Sequence, residues 1–193
     1  MRILINSVQS CTVCEDLPLG PKPILQGDPE SKILIVGQAP GRITHKKGIP
    51  FDDPSGVRLR NWMGVSEEVF YDPKKIAILP MGFCFPGTGK SGDLPPRVEC
   101  AKLWRNPLLD CLQNIELTLI IGQYAIAWHI NDGEKTTLTK RVLQWEDYMP
   151  SRLVMPHPSP RNNMWLKRNP WFEAGVLPKL KRRISDILHE ESA

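Results

Sequence analysis

The sequence predicts a three-layer α/β/α protein built on a central, mostly parallel sheet of four strands. Three observations carry that expectation. Four short apolar runs alternate singly with helical stretches, the pattern that parallel strands and crossover helices leave in a chain. Its first strand run, Ile33-Leu34-Ile35-Val36, is continuously apolar rather than alternating, which suits a sheet covered on both faces. The chain has 193 residues, 41% hydrophobic and 24% charged, enough to bury a sizeable core in one domain spanning 1–193.

Each element has a local reason. Residues 1–14 read as a short helix ending at the Cys11–Cys14 pair, and Pro18 to Pro23 as a rigid extended connector. Lys32–Gly37 is the first strand. Arg42 to Ser55 is a long loop holding His45, Gly48, Pro50, Phe51, Asp52 and Asp53. Gly56–Gly64 is a helix whose Val57, Leu59, Trp62 and Met63 are spaced for one face. Ile76–Met81 is the second strand, and a Gly/Pro-rich loop from Gly82 to Pro96 leads into a helix over Arg97–Leu112. Leu117–Ile121 is the third strand, followed by helices at Gln123–Ile130 and Lys140–Asp147. Leu153–Met155 is the fourth strand, and Asn169–Leu188 the closing helix. There are no internal repeats.

Composition narrows the function. No apolar run approaches the roughly 18–20 residues of a membrane span, and the amino end lacks a signal peptide's apolar stretch and cleavage site. A cytoplasmic protein, monomeric and without membrane partners, is the expectation. The net charge of +4 fits a polyanion partner without proving one. Its distribution says more: from 151 to 193 there are eight Lys/Arg against four Asp/Glu, and Arg161, Lys167 and Arg168 follow a proline-held histidine.

Two loops stand where an open α/β sheet binds ligands, at the carboxyl ends of strands. Gly37-Gln38-Ala39-Pro40-Gly41 offers backbone N–H groups and an amide side chain. Pro156-His157-Pro158-Ser159-Pro160 offers an imidazole. Gly87-Thr88-Gly89-Lys90-Ser91 imitates the tail of a phosphate loop. The full pattern needs a glycine where Cys84 stands and a helix where Gly92-Asp93-Leu94-Pro95-Pro96 follows, so nucleotide hydrolysis is not expected.

Five cysteines in a cytoplasmic chain do not make a disulfide framework. Cys11-Thr12-Val13-Cys14 is a CxxC pair, and Cys84 and Cys100 are separated by 15 residues. Such a set suits tetrahedral zinc or an iron–sulfur cubane. It is also compatible with two core cysteines and a chance pair. Cys111 reads as an ordinary core cysteine in a helix.

With these motifs the chain resembles the uracil-DNA glycosylase superfamily, particularly its iron–sulfur family 4 and family 5 branches. Those proteins carry a CxxC about two dozen residues before a Gly-x-x-Pro-Gly type loop, a third cysteine after the second strand, and a fourth 15 residues later. Cys11, Cys14, Cys84 and Cys100 stand at those spacings. Gly37–Gly41 resembles the first family motif and His157-Pro158-Ser159-Pro160 matches the second. Gly48-Ile49-Pro50-Phe51 with Ser55-Gly56 resembles the segment supplying the base-stacking aromatic.

The resemblance implies a uracil-DNA glycosylase-like α/β/α fold, a structural [4Fe-4S] cluster on the four cysteines (zinc being the alternative), and DNA as partner. It implies a monofunctional glycosylase cleaving the N-glycosidic bond of uracil or another deaminated base rotated out of the stack. Phe51 would stack on the base, and His157 would stabilise the leaving base. Gln38 with the backbone of Gly37, Ala39 and Gly41 would position it. Asp53 would handle water, with Asp52 as second choice. Ser159, Asn162 and Arg161 would grip phosphates or wedge the gap, beside Lys167 and Arg168.

Two departures bear on the substrate. Ala39 stands where the best-known enzymes have a water-activating Asp or Asn, although the iron–sulfur branches often have Ala there. Pro80 stands four residues before Cys84, where those branches have the Asn that reads uracil. Pro80 has neither a side-chain amide nor a backbone N–H, leaving Gln38, Asn162 or Asn163 as substitutes. The rival expectations are a nucleic-acid- or lesion-binding module without catalysis, and a binder of free bases or nucleotides.

Overall fold

A computed structural model describes residues 1–90, 92–130, 132–133 and 136–189. Its main sheet has the order β2-β1-β5-β6, all parallel, formed by β1 (Ile33–Val36), β2 (Ile76–Ile78), β5 (Leu117–Ile121) and β6 (Arg152–Met155). Ile33 pairs with both Ile76 and Leu117, and Ile120 with Val154. Successive side chains of a strand point to opposite faces. Every residue of β1 and β2 is buried, so both faces of the sheet are covered and the α/β/α layering follows. The free edge of β2 is closed by backbone hydrogen bonds in both directions between Gln26 and Ile78. A two-stranded hairpin, β3 (Thr88–Gly89) with β4 (Gly92–Asp93), stands apart from the sheet.

The helices are α1 (Arg2–Gln9), α2 (Arg42–Lys47), α3 (Pro54–Met63), α4 (Glu67–Phe70), α5 (Val98–Cys100), α6 (Asn106–Asp110), α7 (Gln123–His129), α8 (Leu138–Leu143), α9 (Trp145–Tyr148), α10 (Asn163–Arg168) and α11 (Leu177–His189). Among them α3 packs on α11, and α1 on α6. None of the described helices is long and apolar enough to cross a membrane.

Several expected elements differ. The stretch expected as a loop from Arg42 opens with α2, which ends where Gly48 takes the left-handed conformation at φ 77°. Helix α3 starts at Pro54 rather than Gly56, because Asp53 caps it and proline suits the first helical position. Its buried stripe is Ser55, Gly56, Leu59, Trp62 and Met63, whereas Val57 lies off that stripe and is 52% exposed. The helix expected over Arg97–Leu112 contains a π-turn at Ala101–Arg105 between α5 and α6. A second π-turn, Phe172–Val176, precedes α11 in the closing helix. Lys140–Asp147 is divided between α8 and α9. Helix α10, absent from the sequence reading, carries Lys167 and Arg168, whereas Arg161 stands in the 3-10 turn Pro160–Asn162 before it. Cys111 sits half-buried at the end of α6 rather than in the core, and all five cysteines are free. Hairpin β3–β4 occupies the phosphate-loop look-alike, whose Ser91 lies outside the described residues.

Candidate active site

The loops after β1 and β6 open into one cavity of about 610 Å³ at the carboxyl edge of the sheet. Ile78 and Pro80 from the end of β2, the start of α3, and hairpin β3–β4 complete its walls. Gly37, Gln38, Ala39, Gly41, Phe51, Asp53, His157, Ser159, Arg161 and Asn162 all line it, so most of the residues singled out in the sequence share one space. Asp52 does not: its carboxylate pairs with Lys47 at 2.9 Å, outside the lining. Lys167 and Arg168 stand in the last turn of α10, also outside it.

Phe51 is held in an unusual backbone state, φ 54°, the left-handed region that L side chains rarely adopt. The turn is locked by its neighbours. A Cβ on Gly56 would fall 1.6 Å from the Phe51 carbonyl oxygen, and one on Gly37 would lie 3.5 Å from the tip of the Phe51 ring. Phe70 meets that ring edge-on with centroids 6.3 Å apart, and the Arg60 guanidinium covers Phe70 at 5.4 Å. The ring is therefore preset against the Gly37 loop, with no side chain between them.

His157 is placed by its own loop. Its Nδ1 accepts a hydrogen bond from the Ser159 backbone N–H at 3.1 Å, so the neutral ring carries its proton on Nε2. Asn162 Nδ2 donates to the His157 carbonyl at 2.7 Å, and Arg58 of α3 donates to the Ser159 carbonyl at 3.2 Å. Ser159 Oγ is spent on the Arg161 N–H at 3.2 Å. Burial depresses the His157 pKa below the ordinary histidine value. The carboxylates of Asp53 and Asp93 pull it upward and Arg161 adds a smaller downward push. The imidazole is neutral at pH 7, with an Nε2–H to give.

Asp53 has two tasks available. Its Oδ1 caps α3 by accepting the Gly56 N–H at 2.8 Å, and its charge acts on His157. Asp93 lines the cavity from the hairpin and also acts on His157. Sequence reading missed it, because a Gly/Pro-rich loop carries no periodicity to show which side chain turns inward. The Gln38 side chain donates to the Leu94 carbonyl at 2.8 Å, tying the first loop to the hairpin. Gln38 and Asn162 thus each commit an amide N–H to backbone. Asn163, at the start of α10, does not line the cavity.

The four cysteines expected as ligands come together away from this cavity. Cys11, Cys14, Cys84 and Cys100 line one small cavity, walled also by Val8, Pro21, Pro23, Phe83 and Trp104. Burial pushes the Cys84 thiol up to about 11 and raises Cys14 and Cys100 as well. Donors oppose that shift: the Lys22 backbone at Cys84, the Phe83 backbone at Cys100 and the Arg97 side chain at Cys14. Arg97 also forks onto Asp16 at 2.9 and 3.0 Å, joining the CxxC segment to the Cys100 helix. No group of three or more His, Cys, Asp or Glu among the described residues is arranged around a single metal ion.

A parallel sheet covered on both faces, with a preset aromatic, a neutral imidazole and two carboxylates around a cavity at its carboxyl edge, defines an α/β protein with a ligand-sized site at the strand ends. The chain belongs to the uracil DNA glycosylase superfamily, whose family model matches residues 25–181. It is similar to a type-4 uracil-DNA glycosylase of Thermotoga maritima, with 26% identity over 168 residues covering 82% of this chain and 81% of the relative.

Proposed function

We propose that this protein is a DNA N-glycosylase that hydrolyses the bond between deoxyribose and uracil, or another deaminated base, after the nucleotide has been rotated out of DNA. The observation that carries the reading is the shared cavity of Phe51, His157 and Asp53 at the carboxyl edge of the sheet. Family membership and the type-4 relative support the same chemistry.

Phe51 stacks on the extruded base, a contact worth about 1–3 kcal/mol and tolerant of base identity. As the C1′–N bond breaks, the bonding pair leaves with the base. The His157 Nε2–H donates to the oxygen on which that charge gathers, without transferring its proton. Asp53, whose Oδ1 is engaged by Gly56, uses its other oxygen to orient the water that bonds to C1′ and to take that water's proton. Gln38, with the backbone of the first loop, holds the base by way of the hairpin it anchors. Arg161, Lys167 and Arg168 meet phosphates, with the protein acting as a monomer.

The cysteine cavity fits a [4Fe-4S] cluster. Three buried thiols and the half-buried Cys11 surround one void, and hydrogen-bond donors are aimed at the three buried ones. Cys11, Cys14, Cys84 and Cys100 would hold it, and it would tie the amino-terminal segment to the Cys84–Cys100 stretch structurally.

Incubation with oligonucleotides carrying uracil, hypoxanthine or xanthine tests the reading. Wild type leaves an abasic site in place of at least one of them, and His157→Ala slows it strongly. A wild type that leaves every strand intact rejects it. Pro80, in place of an amide reader, favours a second reading as a lesion-binding module. That reading predicts binding without cleavage, falling steeply with salt.

A further inference from the structure

Arg105 ends the π-turn that follows Cys100 and is among the largest fully buried side chains, 1% exposed. Its guanidinium donates to the Leu79 carbonyl at 3.3 Å, to the Pro80 carbonyl at 3.0 Å and to His129 Nε2 at 3.0 Å. Burial beside this cation pushes the His129 pKa down to about 4, so the ring is a neutral acceptor. Arg105 itself, lowered only to about 10, stays charged at pH 7, and burial alone accounts for its shift. Among the described residues its hydrogen-bond acceptors are two carbonyls and a neutral imidazole, none of them anionic.

A buried charge without a counter-ion is costly, and an apolar side chain would fill the space without that cost. Its position makes sense of it. Pro80 lines the base cavity, so the guanidinium lies one peptide behind its wall. The side chains that face His157 from the other walls, Asp53 and Asp93, are negative and oppose an anion. Arg42 and Arg161 line the cavity, but both are exposed and screened by solvent.

We infer that Arg105 is a positioning residue for base release: a buried, unneutralised cation, fixed on the Leu79 and Pro80 carbonyls, that stabilises the departing base anion through the cavity wall. The inference rests on the glycosylase reading above. A fixed charge in a low-dielectric wall acts on charge that exists only as the bond breaks, so it favours the transition state over the bound substrate.

His129 gives the means to test it without disturbing the anchor. His129→Glu leaves the Arg105 hydrogen bonds in place and neutralises the cation; His129→Gln keeps a neutral acceptor. Single-turnover excision is measured for uracil and for 5-fluorouracil, whose anion is the better leaving group, in the same oligonucleotide. His129→Glu slows uracil by about tenfold and 5-fluorouracil by distinctly less, so the rate ratio between the two bases widens. His129→Gln keeps the wild-type ratio within about twofold. A merely structural Arg105 predicts an unchanged ratio, and that result, or equal slowing of both bases, overturns the inference. Should His129→Glu fail to fold, Arg105→Lys against Arg105→Gln supplies the same comparison, with Lys keeping the ratio and Gln widening it. A wild type that excises neither these two bases nor hypoxanthine or xanthine overturns the glycosylase reading and this inference together. A wild-type enzyme with an unchanged variant ratio overturns the inference alone.

Discussion

Gly56 and Phe51 share one space: a Cβ on Gly56 would lie 1.6 Å from the Phe51 carbonyl oxygen and 2.9 Å from its Cβ. The first turn of α3 and the φ 54° turn of Phe51 therefore form a single unit, with Asp53 capping between them. Gly56→Ala forces the turn open. It should cost about 3 kcal/mol or more of stability and lose base binding at the same time. Phe51→Ala leaves the backbone free to relax and loses only the ring, lowering kcat/KM by about 10–100-fold. Thermal melts beside excision rates separate the two variants.

Asp53 caps a helix and faces the imidazole, and these tasks separate by substitution. Asp53→Ser retains an oxygen for the Gly56 N–H but has no carboxylate. We expect stability within about 0.5 kcal/mol of wild type, against a loss of about 1 kcal/mol for Asp53→Ala. Excision should fall at least about 100-fold in both. An Asp53→Ser enzyme with full activity would reduce Asp53 to a cap, and Asp93→Asn would then show whether the hairpin carboxylate handles the water.

The tautomer of His157 sets an acid limb. Protonation would place a second N–H at Nδ1, opposed to the Ser159 N–H that it now accepts. Because burial holds the pKa below 6.5, kcat should be flat at neutral pH and fall on acidification with a midpoint below that value. Activity that instead rises on acidification would mean that the imidazolium is the working form.

His129 should govern part of the acid stability. Its folded pKa of about 4 lies below the ordinary 6.5, so between those values the unfolded chain binds a proton that the folded chain does not. Stability is therefore lost as pH falls through that window, by up to about 3 kcal/mol. The drop in Tm between pH 7 and pH 4.5 should be smaller in His129→Gln than in wild type.

Protein purified without oxygen should be brown and hold about four iron atoms per chain. Cys84→Ser should lose the colour and melt at lower temperature. Colourless wild type containing zinc would instead assign the four thiols to a single ion.

Much of this was legible in the chain because it depends on neighbours in sequence. The apolar run Ile33–Val36 and the proline-held His157 announce a parallel sheet and two strand-end loops from local order alone, whereas the spacing of Cys11, Cys14, Cys84 and Cys100 leaves a shared site and separate core cysteines both open until the family resemblance is added. What only the tertiary structure decided involves distant partners. The inward turn of Asp93, the commitment of Gln38 to the Leu94 carbonyl 56 residues away, and the seating of Arg105 on Leu79 and Pro80 have no periodicity or motif behind them. Local sequence sets which backbone a segment prefers. Which carbonyl a side chain reaches, and whether its charge stays unpaired in the core, is settled only when separate elements pack.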